Sequence, residues 1–326
     1  TAGRPWEDIL IFTIPMLIGN IAQQLYNTVD SIVVGRFVGD NALAAVGSAG
    51  PILNLLIVLF VGISVGASIM VSQYLGARNR EALSGTIGTC IMLTAIASLI
   101  IMVVATLAAR PLLELLNTPD SILDWCTSYL KILFLGAAGL AYYNILSGVL
   151  RGLGDSMSAL LYLLVASALN IVLDLLFVVK FGMGVNGVAL ATAIAQGISA
   201  VLCVRRLSKL TELFDLKWKY IRLNKQHARN IIRLGVPSGV TQAMISMAML
   251  IVQSLTNSFG EQFIAANVIT MRVDGFAMLP NMSFGNAMTT YAGQNVGANQ
   301  YERVAKGAKQ GLFMGVGTSA VITGLI

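Results

Sequence analysis

Long apolar stretches recur along the whole chain, each separated from the next by a short polar connection. A helix needs roughly 20 predominantly apolar residues to cross the hydrocarbon core of a bilayer. On that rule the pattern predicts nine spans, over 9–34, 43–74, 83–109, 122–150, 161–179, 185–207, 234–259 and 263–296, with the ninth starting near 304. The longest polar connection is 208–233. Pro15 and Pro51 fall inside the first two spans. Neighbouring helices and waters can satisfy the carbonyls that such prolines free. Many spans are rich in Gly, Ala and Ser, which lets helices pack closely in lipid. The first run lacks a small-residue cleavage site and continues as a span, so no cleavable signal peptide is expected.

The chain also repeats itself. GDNALAAV at 39–46 is similar to GEQFIAANV at 260–268, and QYLGARNREAL at 73–83 to QNVGANQYERV at 294–304. Gly39 with Gly260, Gln73 with Gln294, Gly76 with Gly297 and Glu81 with Glu302 all match at an offset of 221. Pro15 matches Pro237 at 222, one gap away. Two halves of six spans that start on the same side form a parallel repeat about an axis along the membrane normal. The expected organisation is an amino-terminal lobe over 1–221 and the first part of a carboxy-terminal lobe over 222–326, from a twelve-span whole of about 440 residues.

Composition supports this reading. Of the 326 residues, 56% are hydrophobic and 11% charged, against the roughly 25% charged of soluble domains. The net charge of +6 points to topology, not to nucleic acid, because 16 of the 21 Lys and Arg residues lie in alternate connections. They are Arg4, Arg78, Arg80, Arg151, nine residues from Arg205 to Arg233, and Arg303, Lys306 and Lys309. The positive-inside rule then places the amino terminus and the long connection in the cytoplasm of a multi-pass protein of the cell membrane. Cys90, Cys126 and Cys203 have neither metal-ligand nor disulfide spacing. His227 sits in a basic connection and is expected to be solvated.

Against this background the intramembrane acids stand out. Asn170 and Asp174 share a helix face in the span over 161–179. An acid at bilayer depth costs roughly 2.5–3.5 kcal/mol on insertion scales and marks a functional site by default. In the first span Asn20, Gln23, Gln24, Asn27, Asp30 and Ser31 fall within about 120° of a helix, a stripe that must face protein or water. Thr192 adds a hydroxyl at depth in GVALATAIAQ. The bland readings are an acid that merely pairs helices and a hydroxyl bonded to its own i−4 carbonyl. The functional reading is that Asp30, Asn170, Asp174 and Thr192 form one site of hard oxygen ligands for Na⁺ or a proton. Two close acids would titrate as a pair.

TVDSIVVGRFVG, NIVLDLLFV, GVALATAIA, QYLGA and VGAN together resemble the matching helices of the multidrug and toxic compound extrusion (MATE) family over essentially the whole chain. The resemblance implies an all-α polytopic membrane fold of twelve helices in two six-helix lobes. It also implies alternating access and export of organic cations in exchange for H⁺ or Na⁺. Asp30, Asn170, Asp174 and Thr192 match the family's amino-lobe coupling positions, as in its DinF-like members. NorM-like members carry a further acid on the seventh span; the equivalent face here reads Gln242, Ser246, Met249 and Gln253.

Gln23, Asn27, Tyr142, Gln242, Ser246, Met249, Gln253 and Met282 are the expected substrate-cavity residues. Met is adaptable enough for varied apolar cations, though ordinary packing explains each Met equally well. Tyr26, Tyr142 and Tyr143 offer cation–π faces or belong to the interfacial belt. Arg272 and Asp274 are expected to form a structural pair or an outer gate. No phosphate-binding loop, histidine cluster or nucleophile elbow appears, so ATP-driven transport within this chain is not expected. On the transporter reading neither an enzyme nor a cofactor beyond the coupling ion, H⁺ or Na⁺, is expected. The expected partners are organic cations and membrane lipid, without nucleic acid, for a monomer. Two alternatives remain open. A flippase for lipid-linked oligosaccharides would need basic residues along its cavity, whereas the spans carry acids. A membrane-embedded enzyme would not need the repeat.

Overall fold

The computed structural model describes residues 3–257 and 261–325; the side chains of 40, 250, 253, 254, 256, 257, 261–269, 272, 323 and 325 lie outside that description. Among the described residues there are ten α-helices and no strand. They are α1 (Pro5–Phe37), α2 (Asp40–Gly76), α3 (Arg80–Leu115), α4 (Asp120–Leu135), α5 (Ala137–Gly152), α6 (Ser156–Asp174), α7 (Gly184–Lys209), α8 (Lys225–Asn257), α9 (Glu261–Gly297) and α10 (Tyr301–Leu325). Each expected span has its helix, with one difference. The fourth is broken into α4 and α5, bent by 52° at a short break. The break falls at Gly136, which lies against Ala193 of α7 where a side chain would collide.

Among the described residues, five helices are long and apolar enough to cross a membrane, or six with the bent pair counted as one. The protein is built inside out relative to a soluble one. Leu107, Leu115 and Leu55 are 77%, 77% and 71% exposed, while Asp174, Thr94 and Ser199 are fully buried. Lipid solvates the apolar exterior, and the polar groups must find partners inside. Many buried hydroxyls do so on their own helix: Thr94 Oγ1 donates to the Cys90 carbonyl at 2.6 Å and Ser98 Oγ to Thr94 at 2.7 Å.

The basic connections gather at one end. Arg303 at the start of α10 pairs with Asp8 at the start of α1 at 2.6 Å. Arg206 near the end of α7 pairs with Asp155 at the start of α6 at 2.7 Å. Gln294 near the end of α9 donates to the Gly152 carbonyl at the end of α5. Arg80 at the start of α3 forks onto both oxygens of Asp215 in the 210–224 connection, at 3.1 Å each. That bond, the main cause, holds the Asp215 carboxyl below its usual range. His227 is not solvated as expected. It is half-buried, accepts or donates at 3.1 Å with Thr86 Oγ1, and meets Tyr74 edge-on; burial lowers its pKa.

The repeat is visible in the backbone. Arg78 and Asn299, 221 residues apart, both adopt left-handed φ, 54° and 58°. A Cβ on Gly76 would collide with the Gln294 carbonyl, and one on Gly297 with the Gln73 carbonyl. The contact is reciprocal between equivalent residues, as across a local two-fold axis. Both glycines are needed because the two backbones touch there. With α1 and α8 starting, and α2 and α9 ending, at the same end, the halves run in the same direction.

Candidate functional site

Three helices build the site. α1 is polar on one face because it does not present that face to lipid: Asn20 Nδ2 donates to Ser283 Oγ of α9 at 3.0 Å. Ten residues further on, roughly 15 Å along the helix, the same face carries Asp30. α6 presents Asn170 and Asp174 one turn apart, 1% and 0% exposed. Directly after Asp174 the helix widens into a π-helical segment, Leu175–Lys180, a feature that recurs at functional sites. α7 supplies Thr192.

The fold brings all four together. Asp30 and Asp174 come within hydrogen-bonding reach of each other. Turned so that its amide nitrogen faces the carboxylate, Asn170 donates to Asp174 Oδ2 at 2.8 Å. Its oxygen then accepts from Thr192 N at 3.2 Å and Thr192 Oγ1 at 3.1 Å. Thr192 thus does not spend its hydroxyl on its own helix, the bland alternative, but on Asn170. Oδ1 of Asp30 and Oδ1 of Asp174 are both buried without a partner.

Two carboxylates this close cannot both carry charge without a counter-ion. Their repulsion is roughly 4 kcal/mol at 4 Å and an effective dielectric of about 20. One proton shared between them, or one small cation held by the open oxygens with Asn170 and Thr192, removes it. Among the described residues no group of three or more His, Cys, Asp or Glu that could hold a metal ion is present. The four side chains offer carboxylate, amide and hydroxyl groups, without imidazole or thiolate.

Two tyrosines complete the wall. Tyr26, one turn before Asp30 on α1, stands near Thr192 and the two acids. Tyr129 of α4, 5% exposed, stands close enough to Asp30 and Asp174 to feel their charge. From the sequence Tyr26 is a cation–π face or part of the interfacial belt, and Tyr129 carries no signal beyond being a Tyr inside a predicted span.

The expected cavity residues sit on four helices, α1, α5, α8 and α9. Gln23 lines a polar cavity nearer the start of α1, and Asn27 is exposed on the α1 face. Tyr142 is tied into packing: its hydroxyl donates to the Ile91 carbonyl of α3 at 3.0 Å. Gln242 and Met249 of α8 and Met282 of α9 are exposed, and Ser246 is half-buried. Asp274 is exposed, while Gln253 and its neighbour in expectation, Arg272, lie outside the described side chains.

The chain is similar to known proteins over most of its length. The MatE family model matches residues 15–176 and 237–326. The chain is 29% identical over 328 residues to the probable multidrug resistance protein YoeA of Bacillus subtilis, covering 98% of this chain and 70% of that protein. It is 29% identical to the probable multidrug resistance protein YpnP of the same organism, covering 93% and 68%. A solved outward-facing multidrug resistance MATE family transporter of the MOP superfamily superposes with a TM-score of 0.93 at 27% identity, covering 99% of this chain and 72% of that one.

Proposed function

We propose that this chain, which belongs to the MatE family, is a multi-pass cell-membrane protein that exports organic cations in exchange for H⁺ or Na⁺. The observation that carries the coupling is the Asp30–Asp174 pair, bridging α1 and α6 with one open oxygen on each. The curated relatives named as multidrug resistance or export proteins support efflux as the task.

The mechanism follows from the pair. With an ion between the two carboxyls, α1 and α6 hold together at the acid end. When the ion leaves, the carboxylates repel and α1 is pushed from α6. α1 also packs on α9, through Asn20–Ser283 and the Ile9, Phe284 and Tyr291 cluster. A change at Asp30 is therefore transmitted to the contact between the two halves of the repeat. About 4 kcal/mol of relieved repulsion is a factor of roughly 10³ between two conformers, enough to drive exchange. The ion couples because its affinity differs between them. A monomer without nucleic acid or further cofactor suffices for this cycle. Cytoplasmic placement of the amino terminus follows from the basic end of the bundle.

The test is efflux of a fluorescent lipophilic cation from proteoliposomes of the full-length protein under a Na⁺ gradient and a pH gradient, applied separately. Efflux under at least one gradient is expected. Counterflow under neither, or transport of an anionic dye as fast as its cationic match, would sink the proposal.

A further inference from the structure

The connection between α7 and α8, residues 210–224, is basic but not loose. It is fastened along the first turns of α3. Besides holding Asp215, Arg80 donates to the Thr211 carbonyl at 2.6 Å and the Glu212 carbonyl at 3.0 Å. Ser84 Oγ accepts from Asp215 N at 2.8 Å. A Cβ on Gly88 would collide with the Tyr220 carbonyl. Thr89 Oγ1 meets the Arg222 carbonyl and Asn224 N, both at 3.4 Å. Phe214 is buried beneath the connection, 1% exposed.

These contacts fix its depth. From Arg80 to Thr89 is nine residues, roughly 14 Å along α3. The headgroup layer on one side of a bilayer is only roughly 5–7 Å deep. On the bilayer side of the connection, the large exposed apolar side chains begin at Ile96 of α3 and Ile232 of α8 and end at Val204 of α7. The connection therefore lies at headgroup level, not out in water. There it holds out Trp218, 88% exposed, the most exposed large apolar side chain among the described residues.

The surroundings of Trp218 are cationic. Exposed Lys217, Lys219 and Arg222 flank it, and exposed Lys209 and Lys225 stand at the two ends of the connection. Lys219 Nζ lies 4.6 Å over the Tyr220 ring. The two acids of the connection do not offset this charge, because Asp215 is held by Arg80 and only Glu212 is left. An indole is favoured at the boundary between headgroups and hydrocarbon. Each Lys or Arg near the surface draws anionic lipid by roughly 5-fold.

We infer that 209–225 is a docking surface for anionic phospholipid of the leaflet at the basic end. Trp218 seats between headgroups, and Lys217, Lys219 and Arg222 pair with their phosphates. The inference needs the chain to span a bilayer and does not depend on what it exports.

The experiment uses the full-length protein in phosphatidylcholine nanodiscs. A fixed minor fraction of the lipid carries bromine on the acyl carbons nearest the headgroup, as phosphatidylglycerol in one set and phosphatidylcholine in the other. Bromine quenches indole on contact, and the Trp218 signal is the difference between the wild type and Trp218→Phe. Brominated phosphatidylglycerol should quench Trp218 at least about 2-fold more than brominated phosphatidylcholine. Lys217→Gln, Lys219→Gln and Arg222→Gln combined should make the two lipids quench equally, with thermal unfolding unchanged because all three side chains are exposed. Raised salt, which needs no variant, should narrow the difference in the same direction. Equal quenching by the two lipids in the wild type overturns the inference. So does quenching by aqueous acrylamide but by neither lipid, which leaves Trp218 in water for a soluble partner. Quenching by none of the three also overturns it, since another part of the chain then covers the indole.

Discussion

α1 and α8 occupy equivalent places in the repeat, yet only α1 carries an acid. Both start at the basic end, both contain a proline, Pro15 and Pro237, and each packs against the second helix of the opposite half. At the offset of those prolines, Asn20 of α1 corresponds to Gln242 of α8, Asn27 to Met249 and Asp30 to Val252. The polar character of the early face is kept; the acid is not. The repeat thus preserves what packing requires, the proline position, the touching glycines and the left-handed turns. The cluster of Asp30, Asn170, Asp174 and Thr192 needs three helices of the first half to agree and not one.

The largest effect that tests this contrast is loss of either acid. Asp174→Asn keeps shape and removes an insertion cost, so folded yield should be normal or better. Ion-driven efflux per folded molecule should fall at least about 100-fold. Asp30→Asn should do nearly the same, and the double variant should be no worse than either alone, since two groups that act as one unit are not additive. Normal coupling to both gradients in either variant would break the contrast.

Next comes an attempt to move the acid. Val252→Asp in the Asp30→Asn background should not restore efflux, because Asn170, Asp174 and Thr192 face α1. It should also lower folded yield, by an insertion cost of roughly 2.5–3.5 kcal/mol. Restored coupling would show that α8 is an equivalent ion helix after all.

Smaller effects sharpen the site's inner ranking. Asn170→Ala removes a charge-assisted hydrogen bond to Asp174 and should weaken coupling roughly 10-fold; Thr192→Val removes a neutral one and should cost about 3-fold. A larger loss for Thr192→Val than for Asn170→Ala would mean that the hydroxyl, not the amide, contacts the ion. Initial rates under a fixed gradient, normalised to folded protein, measure both.

The smallest effect tests the repeat itself. Arg78 and Asn299 share a left-handed backbone, which Asn tolerates better than Arg. Arg78→Asn should stabilise by up to about 1 kcal/mol and Asn299→Arg should destabilise by a similar amount, read as opposite shifts in thermal unfolding with transport unchanged. Shifts of the same sign would show that the two turns are not equivalent in energy.

Much of this was legible in the chain. Among the described residues, apolar run length located each span, though not the break between α4 and α5, because the bilayer imposes a length on a span whatever it packs against. The match at 221 exposed the repeat, because identical backbone contacts demand glycine at Gly76 and Gly297. Asp30, Asn170, Asp174 and Thr192 could be picked out singly, since a polar group at bilayer depth is costly wherever it points. Their convergence could not. Spacing along one helix fixes a face but not the rotation of that helix against its neighbours. Only the packing of α1, α6 and α7 put one carboxyl within reach of the other and turned Thr192 from its own carbonyl to Asn170. The same limit hid Tyr129 and the enclosure of His227 against Thr86 and Tyr74. A residue one step from a connection is solvated or enclosed according to what the other helices cover, and that is decided by tertiary contacts, not by hydropathy along the sequence.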